Sequence, residues 1–343
     1  MVIASGGPTT RLSMSRPVKI AGLATYVPPR TLTNADLEKL VDTSDEWILQ
    51  RTGIRERHIV DPGTATSDLA KEAAEGAIRQ AGLTPGDIGF IVVGTTTPDT
   101  IFPSTACLLQ DKIGANHAWG FDLGAACSGF LYALTTGMHM VASGAHEHAL
   151  VVGADVMSSI IDYKDRTTCV LFGDGAGAVV LSAAAPGEPS IIGYEHQIDG
   201  AGGPALCMPG GGSRMPASHE SVEQRMHYVK QDGQAVFKFA VRKSGEICRR
   251  LLDRHGVDPS KLDLFVSHQA NRRIIEAAAE RLGLPLEKVV INLERYGNTT
   301  AATVPLALAD AVRDGRLKQG NLVMLASVGA GFTAGAMLLR WSL

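Results

Sequence analysis

The segment AGLTPGDIGFIVVG at 81–94 aligns without a gap on HGVDPSKLDLFVSH at 255–268. The pairs Gly82/Gly256, Pro85/Pro259, Ile88/Leu262 and Val92/Val266 recur at fixed spacing. Two further matches follow in the same order, ALVVGAD (149–155) with NLVMLAS (321–327) and AGAVVL (176–181) with AGAMLL (334–339). Each piece is centred on a short apolar run, the pattern of a buried strand. Generic α/β patterning accounts for one such match. Three in one order predict a duplicated fold, two similar halves packed face to face. A chain of 343 residues is long enough to hold both.

The rest of the pattern fills in around these runs. A strand is expected over 18–26, ending before Pro28 and Pro29. Thr33 with Asp36, and Thr43 with Glu46, form capping boxes, the second opening a short helix that carries Trp47 and stops at Gly53. Helices are expected over 67–80, from Cys127 or its neighbour onward, and over 236–255, with strands over 90–94, 121–124, 149–156 and 176–184. Pro186-Gly187-Glu188-Pro189 is the linker candidate. The expected division is a flexible tail at 1–16, an N-terminal half at 17–188 and a C-terminal half at 189–343. The stretch 198–221, with GAGGP and PGGGSRMP, reads as a functional or disordered loop.

Composition narrows the function classes. Lys+Arg 32 against Asp+Glu 35 leaves −3, which argues against a nucleic-acid partner. No apolar run reaches the 18 or so residues of a membrane helix, so no membrane insertion is expected. The 38 glycines follow no Gly-X-Y period and serve turns and close backbone approaches. Five widely spaced cysteines, Cys107, Cys127, Cys169, Cys207 and Cys248, suit neither a disulfide framework nor a zinc site, so a reduced cytoplasm and no metal are expected. Cys107, Cys169 and Cys248 lie within apolar patterns and read as core.

Cys127, in Gly124-Ala125-Ala126-Cys127-Ser128-Gly129, follows a strand and opens a helix. Helix N-terminal N–H groups favour a thiolate and can hold an oxyanion, so this is a nucleophile placement. A buried cysteine packed as a small hydrophobe is the alternative. His268 ends the run LFVSH, where α/β folds present groups to ligands, or it is a satisfied core histidine. Asn298, in Tyr296-Gly297-Asn298-Thr299-Thr300, precedes a helix and can simply cap it. Together the three make a nucleophilic constellation. The string FGDGAGA (172–178) mimics a phosphate loop, but strand-like AVVLSAA follows where the fingerprint needs a helix. It reads better as a tight turn placing Phe172 near Cys127.

Six motifs carry a specific resemblance: DTSDEWILQRTGIRERH (42–58), GAACSGF (124–130), FGDGAGA (172–178), SHQANRRII (267–275), RYGNTTAATVP (295–305) and GAGFTAG (329–335). The chain resembles β-ketoacyl-acyl-carrier-protein synthase III over essentially all of residues 17–343. The resemblance implies an α/β duplicated thiolase fold, five layers αβαβα with two mixed sheets. It differs from thiolases, which carry a second active cysteine where this chain has Ser327-Val328-Gly329-Ala330-Gly331. It differs from chain-elongating synthases, which place a second histidine where Asn298 stands.

The resemblance also implies an activity and a site. Cys127 takes the acyl group from a short acyl-CoA such as acetyl-CoA. A malonyl thioester on acyl carrier protein then loses CO2, and its enolate attacks the acyl-cysteine. His268 and Asn298 donate to the malonyl thioester oxygen, His268 neutral with its proton on the inward nitrogen. The backbone N–H groups of Cys127 and Ala330 form the oxyanion hole. Trp47 and Arg166 bracket the adenine of CoA, with Arg51 and Asn271 as further CoA contacts. Lys238 and Gln269, Ala270, Asn271, Arg272 and Arg273 match the carrier-protein docking stretch. Residues 238–281 hold ten basic and six acidic side chains, which suits an acidic carrier. Phe102 and Val328 match acyl-pocket positions, Phe102 crossing a homodimer interface. Val328 and Ala334 stand where bulkier residues are common, so a roomier pocket is expected. CoA enters as a thioester substrate, and no permanently bound cofactor is expected. The alternatives are a related acyltransferase or ketosynthase of secondary metabolism, a cysteine thioesterase or amidase, and a non-catalytic scaffold.

Overall fold

A computed structural model describes residues 16–343. The tail expected at 1–16 lies outside the described residues except for Arg16. That residue is tied down, donating to the carbonyls of Val141 and His146 at 2.8 Å and to Glu147 at 2.9 Å.

The first sheet holds β1 (Val18–Tyr26), β2 (Phe90–Gly94), β3 (Trp119–Leu123), β4 (His148–Asp155) and β5 (Gly175–Ala183), in the spatial order β1-β5-β4-β2-β3. The chain crosses through residues 184–190 to a second sheet of β6 (Ile191–Ile198), β7 (Leu264–Ser267), β8 (Leu322–Gly329) and β9 (Thr333–Arg340), ordered β7-β8-β9-β6. Both are mixed. From β1 the pairings run antiparallel, antiparallel, parallel. From β6 they run antiparallel, antiparallel, parallel again. The three matched sequence segments fall on β2/β7, β4/β8 and β5/β9. Among the described residues only β3 lacks a full counterpart, and a single parallel bridge from Phe265 to Val289 stands in its place.

The helices that build the layers are α1 (Asp45–Thr52), α2 (Thr66–Gln80), α3 (Thr105–Ile113), α4 (Gly129–Ala142), α5 (Gly233–His255), α6 (Arg272–Leu282) and α7 (Thr303–Arg313). Strands buried on both faces send alternate side chains to opposite layers. In β2, Phe90 and Val92 pack inward, while Ile91 and Val93 pack under α2 and α3. In β8, Val323 and Leu325 pack inward, while Met324 and Ala326 pack under α5 and α6. The middle layer is α4 and α7, whose Phe130, Leu134, Val304 and Leu308 join both sheets in one core. The result is the five-layer αβαβα stack. Gly153 allows a close approach between the two halves, since a Cβ there would lie 2.5 Å from the Ala301 carbonyl oxygen.

Some local expectations change. The 198–221 stretch is ordered: a 3-10 turn Gly200–Ala205, a short strand Leu206–Cys207 paired with Lys230–Gln231, and a helix His219–Glu223. Its pairing partner is distant in sequence, so glycine and proline content alone reads as loop. Helix α5 starts at Gly233 rather than 236 because Asp232 caps it, accepting from the N–H groups of Gln234 and Ala235. Cys107 is exposed on α3 rather than core, taking a hydrogen bond from Ser104 Oγ at 3.2 Å. Among the described residues no helix is long and apolar enough to cross a membrane.

Candidate active site

Strand β3 ends at Leu123, and the chain enters a sharp elbow. Ala126 is held at φ 46°, a left-handed conformation unusual for a side chain with Cβ. Cys127 sits in the 3-10 turn Ala126–Ser128 that leads into α4. The second half repeats the device, with Thr300 at φ 52° in the turn Thr300–Ala302 that leads into α7. Each elbow is gripped by the central strand of the other half. Ser327, on β8, donates to the Cys127 carbonyl at 2.7 Å. Asp155, on β4, accepts from the Ala301 N–H at 3.1 Å. Thr333 Oγ1 lies 3.1 Å from the Ala125 and Ala330 carbonyls. Gly329 brings the 329–331 turn directly against Cys127, as a Cβ there would lie 2.8 Å from the Cys127 nitrogen.

The thiol differs from the sequence expectation. Burial, with the nearby Asp155 charge, pushes the Cys127 thiol up to about 12, although its backbone hydrogen bond lowers it. Cys127 is only 7% exposed, and loss of water is the largest influence on its thiol. The resting group is a neutral thiol.

His268 directly follows β7, its N–H bonded to the Ala326 carbonyl at 2.8 Å. Its Nδ1 lies 2.7 Å from Thr303 Oγ1, at the start of α7. Burial pushes the imidazole down to about 3, so it is neutral near pH 7. Asn298 is placed by the FGDG turn: its N–H donates to the Leu171 carbonyl at 2.9 Å, and its carbonyl accepts from Gly173 at 3.1 Å. Its side-chain Oδ1 accepts from Thr300 N–H at 3.0 Å, which leaves the NH2 group as a donor. FGDGAGA therefore orients Asn298 and runs into β5, not into a helix N-terminus.

Cys127, His268 and Asn298 converge on one cavity, with Trp47, Arg51, Ala270, Asn271 and Val328 also on its wall. Its empty space is about 1010 Å³, counting the open mouth. A second, mainly apolar cavity adjoins Cys127, its empty space about 530 Å³ counting the open mouth, walled by Met157, Ile160, Phe172, Leu206, Cys207, Met208, Val229 and Ala330. Phe172 thus lies beside Cys127 as expected.

The other expected residues divide. Trp47 and Arg51 line the corridor, while Arg166 lies over the Trp47 ring at 4.9 Å and is paired with Asp42 at 3.5 Å. Asn271 caps α6 and donates from Nδ2 to the Arg51 carbonyl at 2.8 Å, tying the corridor's two sides. Lys238, Arg272 and Arg273 are exposed. Gln269 is not a docking residue: at 1% exposure it is an internal strut, donating to the Ser267 and Val290 carbonyls and accepting from Asn292 N–H. Val328 lines the corridor rather than the apolar cavity. Phe102 is 84% exposed and lines neither cavity within the chain. Ala334 is fully buried beneath the site and widens neither. Sequence reasoning missed Thr303, Ser327 and the apolar cavity wall. Thr303 was within reach, five residues after Asn298 in the same motif. Among the described residues no cluster of three or more His, Cys, Asp or Glu is placed to hold a metal.

The profile of 3-oxoacyl-[acyl-carrier-protein (ACP)] synthase III matches residues 121–200, and the profile of its C-terminal part matches residues 252–341. The chain is 57% identical over 328 residues to a β-ketoacyl-[acyl-carrier-protein] synthase III of Koribacter versatilis, covering 95% of this chain and 98% of that one. A protein of the same description from Solibacter usitatus is 60% identical over 326 residues, covering 94% and 98%. The crystal structure of 3-oxoacyl-[acyl-carrier-protein] synthase III from Aquifex aeolicus superposes with a TM-score of 0.87 at 43% identity, over 94% of this chain and 100% of that one.

Proposed function

The chain belongs to the 3-oxoacyl-acyl-carrier-protein synthase III family, and we propose on that premise that it condenses a short acyl-CoA with malonyl-acyl carrier protein to initiate fatty-acid synthesis. The observation that carries the proposal is the meeting of Cys127, His268 and Asn298 on one corridor open to solvent.

In the first half-reaction Cys127 sulfur attacks the acyl-CoA thioester carbonyl. The thiol proton leaves as the carbon–sulfur bond forms, and CoA departs as the thiol that carries it. The Cys127 and Ala330 N–H groups stabilise the intermediate oxyanion. In the second half-reaction the malonyl carbon–carbon bond breaks, CO2 leaves, and its electron pair becomes an enolate. Nε2–H of His268 and the NH2 of Asn298 donate to the thioester oxygen that gains this charge. Such donors contribute about 3–4 kcal/mol each in a dry site. The enolate carbon then attacks the acyl-Cys127 carbonyl, Cys127 sulfur leaves as the thiolate and takes one proton from solvent, and the product is a β-ketoacyl thioester on the carrier.

The apolar cavity beside Cys127 is the acyl pocket in this reading, and its size suits short primers beyond acetyl, straight or branched. Trp47, Arg51 and Asn271 line the path of the CoA arm, and Arg166 swings off Trp47 to admit the adenine. Lys238 on α5 and Arg273 on α6 meet the acidic carrier. A second copy covers the edge strand β3 and the exposed side chains Ile101 and Phe102, which makes the enzyme a homodimer.

The test separates the half-reactions. With His268→Ala or Asn298→Asp, Cys127 should still take the acyl group, as read by the mass of the intact protein, while CO2 release from malonyl-carrier protein is lost. Normal CO2 release by both variants would remove the role assignment.

A further inference from the structure

The Thr303 hydroxyl touches His268 and has no task in the reaction so far. Its Oγ1 lies 2.7 Å from His268 Nδ1 and 3.1 Å from the Thr300 carbonyl oxygen. Thr303 is 1% exposed. A threonine hydroxyl has one proton to donate. Of the two acceptors in reach, the imidazole nitrogen is nearer, and it is a stronger base than an amide oxygen.

We propose that Thr303 donates to Nδ1 of His268 and thereby holds the ring's own proton on Nε2, the nitrogen left for substrate. Thr303 is a positioning residue: it acts through His268. The tautomer decides the sign of the contact with the malonyl thioester oxygen. With the proton on Nε2 the ring donates to that oxygen. With the proton on Nδ1 it would turn a lone pair toward the growing negative charge. Burial keeps the ring neutral, so it cannot carry both protons at once.

The same short segment treats both donors alike. Thr300 N–H occupies Asn298 Oδ1 and turns the NH2 group outward. Thr303 O–H occupies His268 Nδ1 and turns Nε2–H outward. The start of α7 is thus a jig that fills the acceptor side of each group and leaves the donor side for the enolate.

The inference rests on the reading of His268 as a donor, so His268→Ala is measured alongside. Thr303→Val removes the hydroxyl at nearly constant shape, and Thr303→Ser retains it. CO2 release from malonyl-carrier protein should fall about 100-fold in Thr303→Val, with Cys127 acylation within about threefold of the parent and recovery in Thr303→Ser. In 15N spectra of histidine-labelled protein, with His268 identified by difference against His268→Ala, the parent and Thr303→Ser should show the Nε2–H tautomer. Thr303→Val should lose it. The spectrum of the parent needs no variant: an Nδ1–H tautomer there overturns the inference, as does parental CO2 release in Thr303→Val. If His268→Ala itself keeps CO2 release, the donor reading fails. If it loses CO2 release while Thr303→Val does not, only the role of Thr303 fails.

Discussion

Gly329→Ala is the sharpest test of the elbow. A Cβ at 329 lies 2.8 Å from the Cys127 nitrogen, 3.1 Å from Thr333 Oγ1 and 3.2 Å from the Cys127 Cβ, whereas ordinary contact starts near 3.4 Å. Neither side yields easily. Gly329 pairs with Thr333 at the end of the β8–β9 ladder, and the Cys127 carbonyl is held by Ser327. Gly329 is not among the glycines at positive φ, so alanine adds no backbone strain of its own. The misfit is therefore relieved at Cys127, whose N–H is the proposed oxyanion donor. Loss of one such donor costs about 10²–10³ in rate, or about 2.7–4 kcal/mol. Rapid quenching after mixing with acyl-CoA, followed by intact mass measurement, reads the acylation rate directly. It should fall about 100-fold, with the melting temperature lowered by a few degrees for the overpacking, and CO2 release should fall less because its proposed donors are His268 and Asn298. Acylation within about threefold of the parent by a well-folded variant would refute the elbow geometry.

Three further outcomes follow from the site. Burial depresses the His268 pKa from 6.5 to about 3, so protonation favours the unfolded chain: this contribution is intact above pH 6.5 and is lost as pH falls toward 3, and urea midpoints across that range should decline less steeply in His268→Gln than in the parent. Trp47→Ala should raise KM for acyl-CoA about 5–30-fold, the equivalent of about 1–2 kcal/mol of ring stacking, while acyl-pantetheine, which lacks the nucleotide, is used as before. Val229→Trp should fill the apolar cavity, so that a panel of acyl-CoAs read by mass spectrometry leaves acetyl on Cys127 but no longer the larger groups.

Much of this was legible because it is periodic or local. The duplicated runs at 81–94 and 255–268 gave both sheets their parallel strands, and the motifs around Cys127, His268 and Asn298 marked strand ends and helix starts. What stayed hidden depends on burial and distant partners. Gln269 lies in one motif with the exposed Arg272 and Arg273, yet its side chain turns inward to three backbone groups. The Cys127 thiol sits at a helix start that favours a thiolate, but desolvation dominates, and no local pattern reports desolvation. The apolar cavity draws Met157, Val229 and Cys207 from separate segments, so no spacing rule collects them. Val328 was placed by homologous position, and a strand residue there faces whichever cavity the β8 pleat dictates.

The duplication also accounts for why the site is asymmetric. The two elbows, at Ala126 and Thr300, share a strained backbone and the same route into a central helix. Equivalent positions then carry different chemistry: Cys127 corresponds to Ala301 after the elbows, and Asp155 on one central strand corresponds to Ser327 on the other. The first elbow needs a nucleophile and a grip on its carbonyl, which the Ser327 hydroxyl supplies. The second needs no nucleophile, and a carboxylate grips its N–H instead. Freed from that duty, the second elbow spends its N–H and hydroxyl groups on orienting Asn298 and His268. Burial reconciles the two tasks. In the proposed reaction a dry site strengthens the donors that the enolate requires, and the Cys127 thiol, held neutral by burial, gives its proton to the departing sulfur of the acyl thioester.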